Sequence, residues 1–223
     1  MLEVIGATLT NAAAIAVSPI PIIAVILMLM SPRSTRRGLA FLIGWFVGIV
    51  IATTLFTLLA GAIPADAPGG SRPILGGVQL LLGLGLLFLG GRQWHSRPES
   101  GTTPELPAWM SKIDQMRALP AAGLAFALAA VNPKNLLVAA AAGSEIGRRN
   151  LHAGELITTI VVFSLIAALS VLVPVLFAVF APQTSARGLS GIRAWLTVNN
   201  SAIMTVLLVI LGANVIGKGL GSF

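Results

Sequence analysis

Apolar residues gather into six runs along this chain, at roughly 4–30, 38–62, 74–92, 119–143, 154–181 and 199–217, with short polar segments between them. Each run is long enough, at 1.5 Å per residue in a helix, to cross a hydrocarbon layer of ~30 Å. A bilayer core offers no water to backbone amides, so such runs cross it as helices that satisfy their own backbone. The pattern predicts an all-α integral membrane protein with six transmembrane helices.

Two of these runs are interrupted near their middle. The first carries Ala16-Val17-Ser18-Pro19-Ile20-Pro21 and the fourth carries Ala130-Val131-Asn132-Pro133-Lys134-Asn135. Proline lacks an amide hydrogen and clashes with the preceding turn, so helices 1 and 4 are expected to break there and leave carbonyls free at membrane depth. Irregular backbone at that depth is tolerated where it is buried in protein or lines a cavity. Paired interruptions in corresponding halves are the sequence pointer to a transporter's binding site. Ser18-Pro19 aligns with Asn132-Pro133 at an offset of 114 residues, and the same offset carries Gly38 onto His152. Three spans per half is an odd number, so the halves are expected to be inverted three-helix repeats. The organisation expected is a first repeat over 1–92, a linker over 93–117 and a second repeat over 118–223.

Composition narrows the class further. Hydrophobic residues make up 56% of the 223 positions and charged residues 9%, with a mean hydropathy of +0.94. A soluble domain carries about 25% charged residues, so this chain lacks the means to cover itself in polar surface. The net charge of +7 suggests nucleic acid only until the cations are placed. They lie almost wholly between the apolar runs, the pattern of a topology signal. Arg33, Arg36, Arg37, Arg92, Arg97, Lys112, Arg117, Arg187 and Arg193 fall on one side; Arg72, Arg148, Arg149 and Lys218 fall on the other. Nine against four places both termini outside the cytoplasm of an inner (plasma) membrane protein, with Arg148 and Arg149 discordant. Glu3 and the absence of a basic residue before the first run argue for a retained span over a cleaved signal peptide.

Within the linker, Pro98, Pro104 and Pro107 predict an irregular first part. Trp109, Ile113 and Met116 beside Lys112 and Arg117 then suggest a short interfacial helix, and Leu189, Ile192, Trp195 and Leu196 suggest another before the sixth span. Both are read as interfacial anchors, with gathering of an anionic lipid as the sharper alternative. Gly44 and Gly48 have the GxxxG spacing, and the third run is rich in glycine, which allows close helix approach.

The Pro-x-Pro of the first run and the Asn132-Pro133-Lys134 of the fourth resemble the paired signatures of the LysE superfamily of exporters. The longer context, Ser18 to Leu29, Pro107-Ala108-Trp109 with Ile113-Asp114, and Val131 to Leu137, is similar to its GAP branch of peptidoglycolipid- or sulfolipid-addressing proteins. The resemblance extends over nearly the whole chain. It implies a protein that exports or addresses glycolipids to the cell surface.

What chemistry the residues permit is limited. There are no cysteines, which excludes disulfides and thiol redox work. His95 and His152 fall in a linker and a loop, and Asp66 and Asp114 lie outside the runs, so no metal site is expected. Glu105 and Asp114 are surface carboxylates, and no catalytic group or cofactor is expected. Lys134 is a charge inside a run, about 12 Å from its end by helical rise. Intramembrane charges are costly and read as functional by default. It either snorkels or caps carbonyls freed by Pro133, or it faces an anionic headgroup. Glu155, in the first turn of the fifth run, is a candidate partner for proton coupling, or simply a helix cap. Ser18, Pro19, Pro21, Asn132, Pro133, Lys134 and Asn135 form the expected substrate site. Thr53, Thr54, Thr57, Thr158 and Thr159 are expected to bond their own helix carbonyls.

The expected function is a secondary exporter or flippase for a lipid or glycolipid, with membrane lipids as partners, no nucleic acid, and a homodimer left open. An exporter of small polar solutes such as amino acids, and a non-transporting subunit of an envelope-assembly complex, are the alternatives.

Overall fold

The computed structural model describes residues 1–31, 34–62, 73–97, 110, 113, 116–149 and 151–222, with the backbone alone for Ser34 and residues 182–187. The loop charges Arg33, Arg72 and Lys112, and most of the expected interfacial helix around Trp109, lie outside these residues.

Eight helices are described and no strand. They are α1 (Leu2–Ala16), α2 (Pro19–Leu29), α3 (Ser34–Gly61), α4 (Pro73–His95), α5 (Ala118–Ala130), α6 (Pro133–Gly147), α7 (Ala153–Phe180) and α8 (Pro182–Leu220). The two expected interruptions are the boundaries α1/α2 and α5/α6, bent by 54° and 60°. Pro19 and Pro133 each stand at the first helical position, where a missing amide hydrogen costs nothing and φ is already helical. Four helices are long and apolar enough to cross a membrane, and six spans result if each bent pair is one. The chain is a multi-pass membrane protein.

Order along the chain has its own rhythm. A bent pair of short helices is followed by two long ones, and this is repeated, with α3 and α7 both 28 residues. α4 packs along α8, α3 along α5 and α6, and α1 against α7. Large side chains such as Phe41, Trp45, Ile23, Met28, Phe163 and Leu86 fill the interior. Leu39, Ile43, Val47, Ile51 and Leu55, spaced four apart on α3, are exposed instead. An apolar stripe facing outward is what lipid requires and water would penalise.

Close approach depends on small residues. On α3, a Cβ at Gly44 would run into the Ala122 carbonyl and one at Gly48 would press on Ala129 and Phe126, so the GxxxG pair seats α5. Gly143 and Gly147 of α6 lie equally tight against Phe56, Thr57 and Gly61 of α3.

Three details depart from the sequence reading. The segment from Leu189 to Leu196 is no separate interfacial helix but the start of the 39-residue α8. Leu189 and Leu196 are buried while Ile192 and Trp195 are exposed, so one face joins the core and the other points outward. Ile113 is likewise buried in the core, with Met116 packed against it. Thr158 and Thr159 donate to Gly154 and Glu155 carbonyls at 2.8 Å, as expected, whereas the buried Thr53 and Thr57 hydroxyls have no hydrogen-bond partner.

Candidate functional site

Each break must find partners for the backbone groups it frees. At the first, Ser18 is the residue before α2, and its Oγ donates to the Ile15 carbonyl at 2.7 Å. At the second, Asn132 caps α6 by accepting the Lys134 amide at 3.0 Å, and Asn135 Nδ2 donates back across the bend to the Leu128 carbonyl at 2.9 Å. A side chain with short polar reach is needed at both places, which is why serine and asparagine precede the prolines.

Lys134 joins the two breaks. Its Nζ donates to the Ala14 carbonyl at 2.8 Å and to Ser18 Oγ, both on the other bent pair. α1 has no basic residue in its own last turn, so this ammonium, carried by α6, neutralises the negative end of the α1 dipole. The carbonyl capped is therefore one freed at the first break, not one freed by Pro133. Lys134 is buried, at 7% exposure, and its described partners are neutral.

All seven residues expected to form the site line one cavity of about 400 Å³. Pro19 and Pro21 form one wall, Asn132 to Asn135 the facing wall. The N-termini of α2 and α6 both adjoin this space, and each contributes roughly half a positive charge there. Glu155 is not among the lining residues. Its carboxylate accepts the His152 amide at 3.3 Å in a capping box at the start of α7, beyond the far end of α6 from Lys134.

The remaining wall was not legible as part of a site. It comes from Leu89, Arg92 and Gln93 on α4, from Ser96 just past its end, and from Asn200, Met204 and Leu208 on α8. Arg92 reads from sequence as a loop charge, but α4 continues past its apolar run to His95 and holds Arg92 at the exposed edge of the cavity. Gln93 Nε2 donates to Ser201 Oγ at 3.1 Å and ties α4 to α8 beside it. Asn135 Oδ1 and Asn200 Oδ1 are buried and unpartnered. The result is a cavity with two cationic side chains, amide groups and an apolar flank.

A second polar cluster lies at the other end of the bundle. Glu145, at 2% exposure, accepts from Arg148 Nη2 at 2.6 Å and from Arg149 Nη2 at 3.2 Å, with Lys218 Nζ at 3.4 Å. Arg149 Nη1 also reaches Glu3 at 2.9 Å. The expected site did not include Glu145, although its spacing of three and four from Arg148 and Arg149, just past the end of α6, was a readable signal.

A profile of the family described as Sap, sulfolipid-1-addressing protein (SfLAP) matches residues 9–221. Searches of curated proteins and of solved structures give no match. With nearly its whole length covered, the chain belongs to the sulfolipid-1-addressing protein family.

Proposed function

We propose that this chain is a secondary exporter or flippase that moves a lipid or glycolipid toward the cell surface from the inner membrane. The observation that carries this reading is the convergence of both proline breaks on one cavity. Its volume, about 400 Å³, suits a headgroup, within the range of small-molecule sites. Acyl chains would stay against the apolar flank formed by Leu89, Met204 and Leu208 and the lipid beyond. Arg92, Lys134 and the two helix N-termini favour an anionic headgroup, and the family's description names a sulfolipid.

The architecture that goes with this function is six spans arranged as two inverted three-helix repeats, each opening with a broken helix. In support, α1 packs on α7 as α5 packs on α3, and α4 packs on its counterpart α8. Both termini lie outside the cytoplasm. The discordant Arg148 and Arg149 face Glu145 and Glu3, so they contribute little free positive charge on that side.

The test uses Lys134. Lys134→Met removes a charge that is costly to bury but leaves the Ala14 carbonyl unpaired, and these effects oppose each other. Stability in detergent should shift by no more than ~1–2 kcal/mol, while the anionic lipid should vanish from the surface fraction of a deletion strain complemented with this variant. Lys134→Arg keeps the charge but demands a wider, planar donor and should retain partial export. Normal export by the Met variant would remove Lys134 from the substrate site.

A further inference from the structure

The cavity and the Glu145 cluster stand in a fixed relation on three helices. Ten residues separate Leu89 from Gln79 on α4, Asn135 from Glu145 on α6, and Leu208 from Lys218 on α8, about 15 Å in each case. α1 follows suit, with Glu3 at the cluster and Ala14 beside Lys134 at the cavity. The cavity therefore sits toward one end of the bundle and the polar cluster closes the other.

The two ends are tied differently. At the cluster, four helices are cross-linked by side chains. Lys218 Nζ bonds the Ala7 carbonyl of α1 at 3.1 Å and lies 3.4 Å from Glu145 of α6. Gln79 of α4 donates to Ser144 of α6 at 3.4 Å and accepts from Ser222 at 3.3 Å. Glu3 holds Arg149 from α1, and its carboxylate, then that of Glu145, pushes the Arg149 guanidinium above its ordinary range. At the cavity end the ties are hydrogen bonds without ion pairs among the described residues, Gln93 to Ser201 and Lys134 to Ala14, and Arg92 and Ser96 are exposed.

We infer that the Glu145–Lys218–Arg149–Glu3 network is the seal that closes the far side of the cavity, and that it opens to release substrate there. The inference rests on the transport reading, because only a substrate that crosses requires the second opening. The network suits the task physically. Lys218 to Glu145 joins α8 to α6 and Glu3 to Arg149 joins α1 to the end of α6, so separation of α1 or α8 from α6 breaks the network, while the Arg149–Glu145 contact stays within α6 and its C-terminal turn. Its charges are near enough to the bundle end to be rehydrated once apart, where a buried apolar seal would have to expose greasy surface to water. Arg148 also bonds Glu145, but from its own helix end, and travels with it.

The chain has no cysteine, so one introduced cysteine reports alone. Asn200→Cys places a thiol in the cavity, and an impermeant thiol reagent is applied to vesicles of either orientation. The expected result is labelling from the Ser96 side and slow labelling from the Glu3 side. Adding Glu145→Gln should raise the Glu3-side rate by about tenfold, the population shift that follows loss of a charge-assisted contact in a two-state element. Lys218→Met, farther from the buried carboxylate's own helix, should act in the same direction and guards against misfolding of the first variant. Unchanged Glu3-side labelling in both folded variants overturns the seal, as does a parent thiol that never labels from the Ser96 side. If the variants label as expected while the unmodified protein transfers no anionic lipid in proteoliposomes, the transport reading fails and the moving seal stands.

Discussion

Replacing Gly143 with alanine sets two known effects against each other. An isolated helix gains ~1 kcal/mol when glycine becomes alanine, because the unfolded chain loses freedom. On α6, however, the new Cβ would lie 2.7 Å from Phe56 Cβ and from the Thr57 amide nitrogen of α3. Carbon contacts are comfortable at ~3.5–4.0 Å, so α3 and α6 must separate by roughly 1 Å. Two of the three obstructing atoms are backbone, which no rotamer change can relieve. Overpacking of this kind costs ~1–3 kcal/mol, and it exceeds the propensity gain. Gly123 on α5 has nothing within 4 Å of the same added atom. Gly123→Ala should therefore be neutral or stabilising by up to ~1 kcal/mol, and the two variants should differ by the overpacking cost, about 1–3 kcal/mol. Thermal unfolding in one detergent, at matched scan rates, measures the pair. At ~2–4 °C per kcal/mol for a chain of this size, the melting temperatures should be several degrees apart. Equal melting temperatures, or a more stable Gly143→Ala, would refute the close approach of α6 to α3.

Asn132→Ala should cost ~1 kcal/mol through loss of the α6 cap, and Asn132→Ser should recover most of it, as read by the same melting experiment. For orientation, single cysteines at Ser96 and Gly154 should label from opposite faces of the membrane in intact cells, with only Gly154→Cys reached from outside. Labelling of Ser96→Cys from outside reverses the proposed topology.

How much was legible follows from how local each cause is. Both breaks were readable because proline acts on its own helix, and the apolar runs located the helices without fixing where each one ends. Ser18, Asn132, Lys134 and Asn135 could be named together because each is adjacent to a break. Arg92 and Asn200 could not, since their places depend on how far α4 and α8 continue and which way they roll against each other. A helix does not stop where its apolar run stops, and that rule hid both the cavity wall and the continuity of α8 through Leu189. The Glu145 cluster combines a local part with contacts to Glu3 and Lys218 that are far away in sequence. Only the local part, the spacing to Arg148 and Arg149, was on the page.

The bond from Lys134 to Ala14 and Ser18 has a mechanical meaning as well as an electrostatic one. It is a strut between two joints, one in each bent helix pair. A joint braced in this way has no independent freedom: α6 cannot swing about its bend without pulling on α1, nor α1 without pulling on α6. Two hinges linked by one strut behave as a single mechanism with one degree of freedom. A substrate that displaced the ammonium from the Ala14 carbonyl would release both hinges at once, so occupancy and movement would be one event.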